Sequence, residues 1–231
     1  MRRWGIAVSV FYAAVVMGFL LPGVLFLNPE GEANFIANYL EALSLYPETI
    51  SDSKSIWALY IWPLMLVGGN ALLLFLSVDT SWQRLRPRRH LEFTIAVIAM
   101  FAALLSSSAI WSLIAGIFGD DGGVWLSLTN WVIACWAVLW ALWAIVFYVY
   151  YKTRTMRLEK ALSWLLKGSV LELLIAVSAH VVVRQRNECS APFATSFGIV
   201  TGIAIMLMCF GPGVLALYKR RMARYPKADS G

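Results

Sequence analysis

The chain has 231 residues, of which 60% are hydrophobic and only 14% are charged, and its formal net charge is +6. A soluble domain of this length needs a far larger charged surface, so the composition excludes the ordinary soluble classes and indicates an integral membrane protein. The apolar segments are about 20 residues long or longer, rather than alternating strands of about ten. They therefore predict an all-α bundle of transmembrane helices.

The first predicted span covers residues 4–27 and follows Arg2 and Arg3. A secretory signal peptide also has a charged start, but this apolar run is too long and no small-residue cleavage site follows it. We therefore interpret the run as a retained membrane anchor. Asn28 and Pro29 are typical of a helix start, and residues 28–54 are predicted to contain a short amphipathic helix on the extracytoplasmic surface.

Five further apolar segments complete a bundle of six transmembrane helices in a single polytopic domain, residues 1–231. The connections between them are short, no internal repeat is visible, and no linker is long enough to separate two domains. The five further spans cover about 55–78, 92–118, 124–151, 161–183 and 193–218.

Basic residues are distributed unevenly between the two sides of this bundle. With the N-terminus inside, sixteen of the nineteen lysines and arginines fall on the inner side, and only Lys54, Arg184 and Arg186 fall outside. Positively charged loops stay in the cytoplasm, so both termini are predicted to be cytoplasmic, in a plasma membrane such as the bacterial inner membrane. The net charge is then a topology signal, so we expect the lipid bilayer and no nucleic acid as a partner.

Glu172 is the polar residue that this topology does not explain. It lies about halfway through the fifth predicted span, where an ionised carboxylate is costly unless it is protonated, paired or exposed to water. Asn70 in the second span, the serines around Ser107 in the third and Thr201 in the sixth fall at middle depths. Together they predict a polar pocket, in which a transporter or channel would use Glu172 as a titrating group.

His180 and Arg184 lie one helical turn apart near the outer end of the fifth span, and Arg186 follows them. Two cationic groups on one face suit an anion, a lipid headgroup or a quinone carbonyl, whereas the plainer interpretation is arginines that extend to the membrane surface. His90 and His180 fall on opposite sides of the membrane, so one chain cannot supply a bis-histidine haem site. We expect no cofactor and no metal, with a haem or quinone near His180 as the alternative.

The sixth span carries Ala194, Gly198 and Gly202 on one face. Such a small-residue stripe allows close packing inside the bundle or against another subunit, including a second copy of the chain. Cys189 lies in the preceding outer loop with no evident partner in the chain, so an intersubunit disulfide, a modified thiol and a free thiol all remain open.

Trp136, Trp140 and Trp143 recur on one face of the fourth span. A stripe of this kind can stack on a porphyrin, a quinone or another aromatic ligand, but it more often packs against lipid or neighbouring helices.

Motifs for a nucleophile elbow, a phosphate loop or a zinc protease do not occur in the sequence, which favours a non-enzymatic protein. The first function expected is a multi-pass subunit that binds a partner or assists assembly, with a polar pocket around Glu172. The alternatives are a small transporter or channel that uses Glu172, and a membrane redox protein with a quinone or haem near His180.

Overall fold

The computed structural model describes residues 2–20, 56–76, 91–118, 129–152, 158–186 and 193–224. These residues form six helices, and no strand occurs among them. The prediction of an all-α fold with six helices is confirmed for this part of the chain. The amphipathic helix predicted within 28–54, His90 and Cys189 lie outside the described residues.

Each helix falls on one of the six apolar segments. α5 extends beyond its apolar run because residues 184–186 continue the helix without a proline or glycine to stop it. The bounds are α1, Arg2–Val15, continued by a π-helical turn, Val16–Leu20; α2, Ile56–Leu76; α3, Leu91–Phe118; α4, Thr129–Lys152; α5, Leu158–Arg186; and α6, Phe193–Arg224.

α3 is the central helix and packs against α2, α4, α5 and α6. Of its most apolar stretch of 18 residues, 67% is buried inside the molecule. Ile98 and Phe101 are fully buried, and small residues such as Ala99 and Ala103 let neighbouring helices approach closely. A helix that is apolar all round is expected at the centre of a bundle.

α5 has the opposite character, because only 28% of its most apolar window is buried. Its exposed face is bounded by Lys167 and Arg184, which lie about 25 Å apart at a rise of about 1.5 Å per residue. That length is close to the hydrocarbon thickness of a bilayer, about 30 Å. Apart from Ser178, the exposed residues between these charges are apolar: Val170, Leu171, Leu174, Val177, Val181 and Val182.

Two helices are long and apolar enough to cross a membrane, Glu92–Phe118 in α3 and Lys160–Arg186 in α5, among the described residues. The other four contain shorter apolar stretches: Gly5–Leu20, Ile61–Phe75, Ala134–Tyr150 and Ala194–Phe210.

α3 and α5 run parallel, and α6 runs antiparallel to both. Glu172 meets Gly202, whereas His180, further along α5, meets Thr195, further back on α6. The pairs between α3 and α5 advance together along both helices: Leu105 with Gly168, Ser108 with Glu172, and Gly116 with Ala179.

α6 is also held by α1 and α2. The Tyr12 hydroxyl of α1 donates to the Ala204 carbonyl at 3.0 Å. Trp62 Nε1 of α2 donates to Thr201 Oγ1 at 3.1 Å, and the Thr201 hydroxyl donates to the Phe197 carbonyl of its own helix at 2.7 Å. The polar side chain of Thr201 is thereby used in helix packing.

Candidate functional site

Glu172 lies in the interior of the bundle, where α5 meets α3 and α6. Its side chain is only 2% exposed. The oxygen Oε1 accepts a hydrogen bond from Ser108 Oγ at 3.0 Å. The oxygen Oε2 is buried and has no hydrogen-bond partner among the described residues. A buried acceptor without a donor costs on the order of 1–3 kcal/mol, so Oε2 is held in place at the expense of stability.

Two glycines of α6 make room for the carboxyl group. Oε1 lies 3.2 Å from the position that a Cβ atom would take at Gly198, and Oε2 would collide with a Cβ atom at Gly202. Because these glycines are one helical turn apart, they leave a strip of bare backbone on α6. The carboxyl of Glu172 lies directly against this strip, and Ala194 on the same helix is buried as well. The small-residue stripe is therefore packed inside the chain.

Ser112 is a second buried polar side chain without a partner. It is fully buried on α3, and its Oγ has no hydrogen-bond partner among the described residues. The same oxygen would collide with a Cβ atom at Gly198, which places it beside Glu172 at one point of α6. We call Glu172, Ser108 and Ser112, together with Gly198 and Gly202, the Glu172 site.

Ser112 was not singled out from the sequence, although a signal was present. Ser108 and Ser112 are four residues apart on a helix, which places both hydroxyls on one face.

The carboxyl group has no cationic partner in the part of the chain that the structure describes. Its one polar interaction there is the hydrogen bond from the neutral Ser108 hydroxyl. On α5 itself, Lys167 is exposed and His180 lies two turns further on. An ionised carboxylate buried without a cation is costly, so a proton or a cation must accompany Glu172.

The structure brings Ser108, rather than Ser107, to Glu172. The Ser107 hydroxyl donates to the Leu104 carbonyl of its own helix at 3.0 Å. Asn70 is 1% exposed on α2, and its Oδ1 has no partner among the described residues. Its neighbour Gly69 packs closely on Phe101 of α3.

The polar groups at the far end of α5 form a separate set. His180 Nδ1 lies 3.0 Å from Thr195 Oγ1 of α6. Arg186 donates to the carbonyls of Gly116 and Ile117 at 3.1 and 3.2 Å. It thus satisfies carbonyls that the end of α3 leaves without a helical partner.

Arg184 is exposed and forms no hydrogen bond or ion pair within the described residues. His180 and Glu172 are about 12 Å apart along the helix axis, so the residues predicted from the sequence belong to two places in the bundle.

The tryptophans of α4 contact α3. Trp140 Nε1 donates to the Ala96 carbonyl at 3.0 Å, and Trp143 Nε1 donates to Ser106 Oγ at 2.9 Å. Trp136 stacks on Trp140 with ring centroids 5.3 Å apart, and its Nε1 is buried without a partner among the described residues. Two of the three rings are therefore used in joining helices.

The donor atoms available to a metal or cofactor are few in the described ranges. No group of three or more histidine, cysteine, aspartate or glutamate side chains that could hold a metal occurs there. Cys135 and Cys209 are free thiols. A haem or quinone at His180 would have to use Nε2, because Nδ1 contacts Thr195.

The comparisons with known proteins leave the interpretation to this geometry. Neither a protein-family model, nor a curated protein, nor a solved structure matches the chain.

Proposed function

We propose that this chain is a six-span integral membrane protein with both termini in the cytoplasm, and that it is a small transporter in which Glu172 binds and releases a proton. The exposed face of α5 supports the membrane setting. Apolar surface left in water costs roughly 25 cal/mol per Å², whereas the same surface is unpenalised in lipid. The charges that bound this face and the uneven distribution of lysine and arginine agree with that setting.

One observation carries the choice of a transporter over the partner-binding subunit favoured by the sequence. It is the buried, unpartnered Oε2 of Glu172. A structural role would be better served by a carboxyl with both oxygens bonded, or by an apolar side chain. Ionisable groups inside a membrane protein are costly, and they mark proton or ion paths more often than they mark scaffolds.

The surroundings of Glu172 also suit a group that changes its charge. The carboxyl lies against glycine backbone on α6, with no side chain of that helix bonded to it. Gly211, Pro212 and Gly213 follow within the same helix, where a proline removes one backbone hydrogen bond. The helix continues through these residues, and a missing backbone hydrogen bond of this kind can permit hinging in transporters.

Proton movement in liposomes tests this proposal. The purified protein is reconstituted with a pH-sensitive dye inside the vesicles, and a potassium diffusion potential drives proton entry. We expect faster acidification than in empty vesicles, abolished by Glu172→Gln. Glu92→Gln is the matched control, because Glu92 is exposed at the start of α3. Equal rates for the wild type and Glu172→Gln, or for the wild type and empty vesicles, would contradict the proposal.

A partner-binding or assembly subunit is the second candidate. The observation in its favour is that Glu172 joins α5 to α3 and lies against α6, while α5 leaves an apolar face exposed. This role predicts that Glu172→Gln changes folding or oligomeric state, with no proton flux in the wild type. Size-exclusion chromatography of both proteins in detergent separates the two candidates.

A further inference from the structure

We propose that the Glu172 site also binds a small monovalent cation, of the size of sodium, at the carboxyl that the proton occupies. This inference rests on the proposed function and names the ion that competes with the proton. The site offers oxygen atoms from one carboxyl and two hydroxyls, those of Glu172, Ser108 and Ser112. Oxygen ligands suit hard cations and disfavour soft metals.

These oxygens converge on one point of α6. Ser108 Oγ lies 3.0 Å from Oε1 of Glu172. Oε1 lies 3.2 Å from the position of a Cβ atom at Gly198, and Ser112 Oγ would collide with the same Cβ atom. A cation at this point would contact oxygens from α3 and α5 together.

Two oxygen atoms of the Glu172 site have no other use among the described residues. Oε2 of Glu172 and Oγ of Ser112 are buried without hydrogen-bond partners, and both side chains are at most 2% exposed. Each orphaned acceptor is a cost that a bound cation removes. The Ser108 hydroxyl can turn its proton to the Leu105 carbonyl, 3.0 Å away, and present a lone pair to the cation.

The charge of the site favours a monovalent ion. One carboxylate neutralises one positive charge, whereas a divalent ion would leave a net charge buried in the bundle.

The space around the site favours a small ion. Ala176 Cβ lies 3.2 Å and Leu173 Cγ 2.8 Å from the Cβ positions of Gly198 and Gly202, so α5 and α6 pack closely beside the carboxyl. We therefore expect sodium and lithium to bind and potassium to bind poorly.

Competition with protons follows from the single carboxyl. The helices packed against Glu172 carry few other ionisable groups in their described side chains: Glu92, exposed on α3, and Cys209, buried on α6. On α5 the nearest are Lys167 and His180, and none of the four contacts the carboxyl. Protonation of Glu172 removes the negative charge that attracts the cation, so sodium affinity should fall as the pH is lowered.

Binding of radioactive sodium to the purified full-length protein tests this inference. We expect saturable binding, displaced by unlabelled sodium or lithium but not by choline, and weakened in acidic buffer. Glu172→Gln should abolish it. Ser112→Ala should weaken it about tenfold, which corresponds to about 1.4 kcal/mol. Ser107→Ala is the matched control and should bind normally, because that hydroxyl bonds to its own helix.

The outcomes separate this inference from the proposed function. A wild type that conducts protons through Glu172 but shows no saturable sodium binding would overturn the cation site. The proposed proton transport through Glu172 would then still hold. Sodium binding that survives Glu172→Gln would also overturn the cation site. Sodium binding that requires Glu172, in a protein without proton flux, would support the cation site and contradict the proposed proton transport.

Discussion

The unpartnered oxygen of Glu172 lies against Gly202 of α6 so closely that no methyl group fits between them. The contact joins the one buried carboxyl of the described residues to a helix that offers it only backbone at that point. The size of residue 202 and the position of the carboxyl are therefore coupled.

Gly202→Ala should destabilise the protein by about 1–3 kcal/mol, the usual range for overpacking a filled interior. The new methyl group collides with Oε2 and with Leu173. The control is Gly68→Ala on α2, where nothing lies within 4 Å of the added atom. That change should be neutral or stabilising by up to about 1 kcal/mol, since alanine favours helix. Thermal unfolding in detergent measures both, and a Gly202→Ala protein as stable as Gly68→Ala would refute the close contact.

Ser108→Ala should cost about 1–3 kcal/mol, because it leaves Oε1 of Glu172 buried without its donor. Ser107→Ala is the natural comparison, since the Ser107 hydroxyl is buried to a similar extent but bonds only to its own helix, whereas the Ser108 hydroxyl also reaches Glu172. The difference between the two melting temperatures reports the bond to Glu172. A Ser107→Ala change more damaging than Ser108→Ala would contradict the rotation of α3 that places Ser108 against Glu172.

Trp143→Phe should destabilise the protein by about 0.5–1.5 kcal/mol through loss of the hydrogen bond to Ser106. Trp136→Phe removes an N–H that is buried without a partner among the described residues, so it should cost less or even stabilise. Both changes keep an aromatic ring, and chemical or thermal unfolding compares them directly. Equal losses of stability in the two variants would mean that only the volume of the ring matters at both positions.

Arg186→Gln should loosen the end of α3, because Arg186 donates to the carbonyls of Gly116 and Ile117. The side chain is exposed, so the loss should be modest, about 0.5–1 kcal/mol. Arg184→Gln lies half a turn earlier and should have a smaller effect, because the described residues offer Arg184 no partner. Hydrogen exchange at residues 114–118 is the readout. Equal protection in the two variants would contradict a role of Arg186 in stabilising the end of α3.

The depth of Glu172 could be predicted from the sequence, because the rise per residue fixes how far a position lies along a span. The serine hydroxyl that contacts Glu172 could not be predicted in this way. Ser107 and Ser108 differ by about 100° of rotation, and the rotation of α3 is set by packing with four neighbours.

The sequence also could not predict which residue packs against the small-residue stripe of α6. Gly198 and Gly202 indicate close approach, but either another helix or another subunit satisfies that pattern. Which side chain fills the space depends on the antiparallel register of α5 and α6. Arg186 is a similar case, since the carbonyls that it binds are 69 and 70 positions away in the chain.

Infrared difference spectroscopy of the purified protein between acidic and alkaline buffers tests most directly whether Glu172 takes up and releases a proton. The carbonyl stretch of a protonated carboxyl appears only when the group holds its proton. The chain has 13 aspartates and glutamates, and any of them that titrates adds to this band. We expect one component of the pH-dependent band to be present in the wild type and in Glu92→Gln and absent in Glu172→Gln. A Glu172→Gln spectrum identical to that of the wild type would contradict a titrating carboxyl at the centre of this bundle.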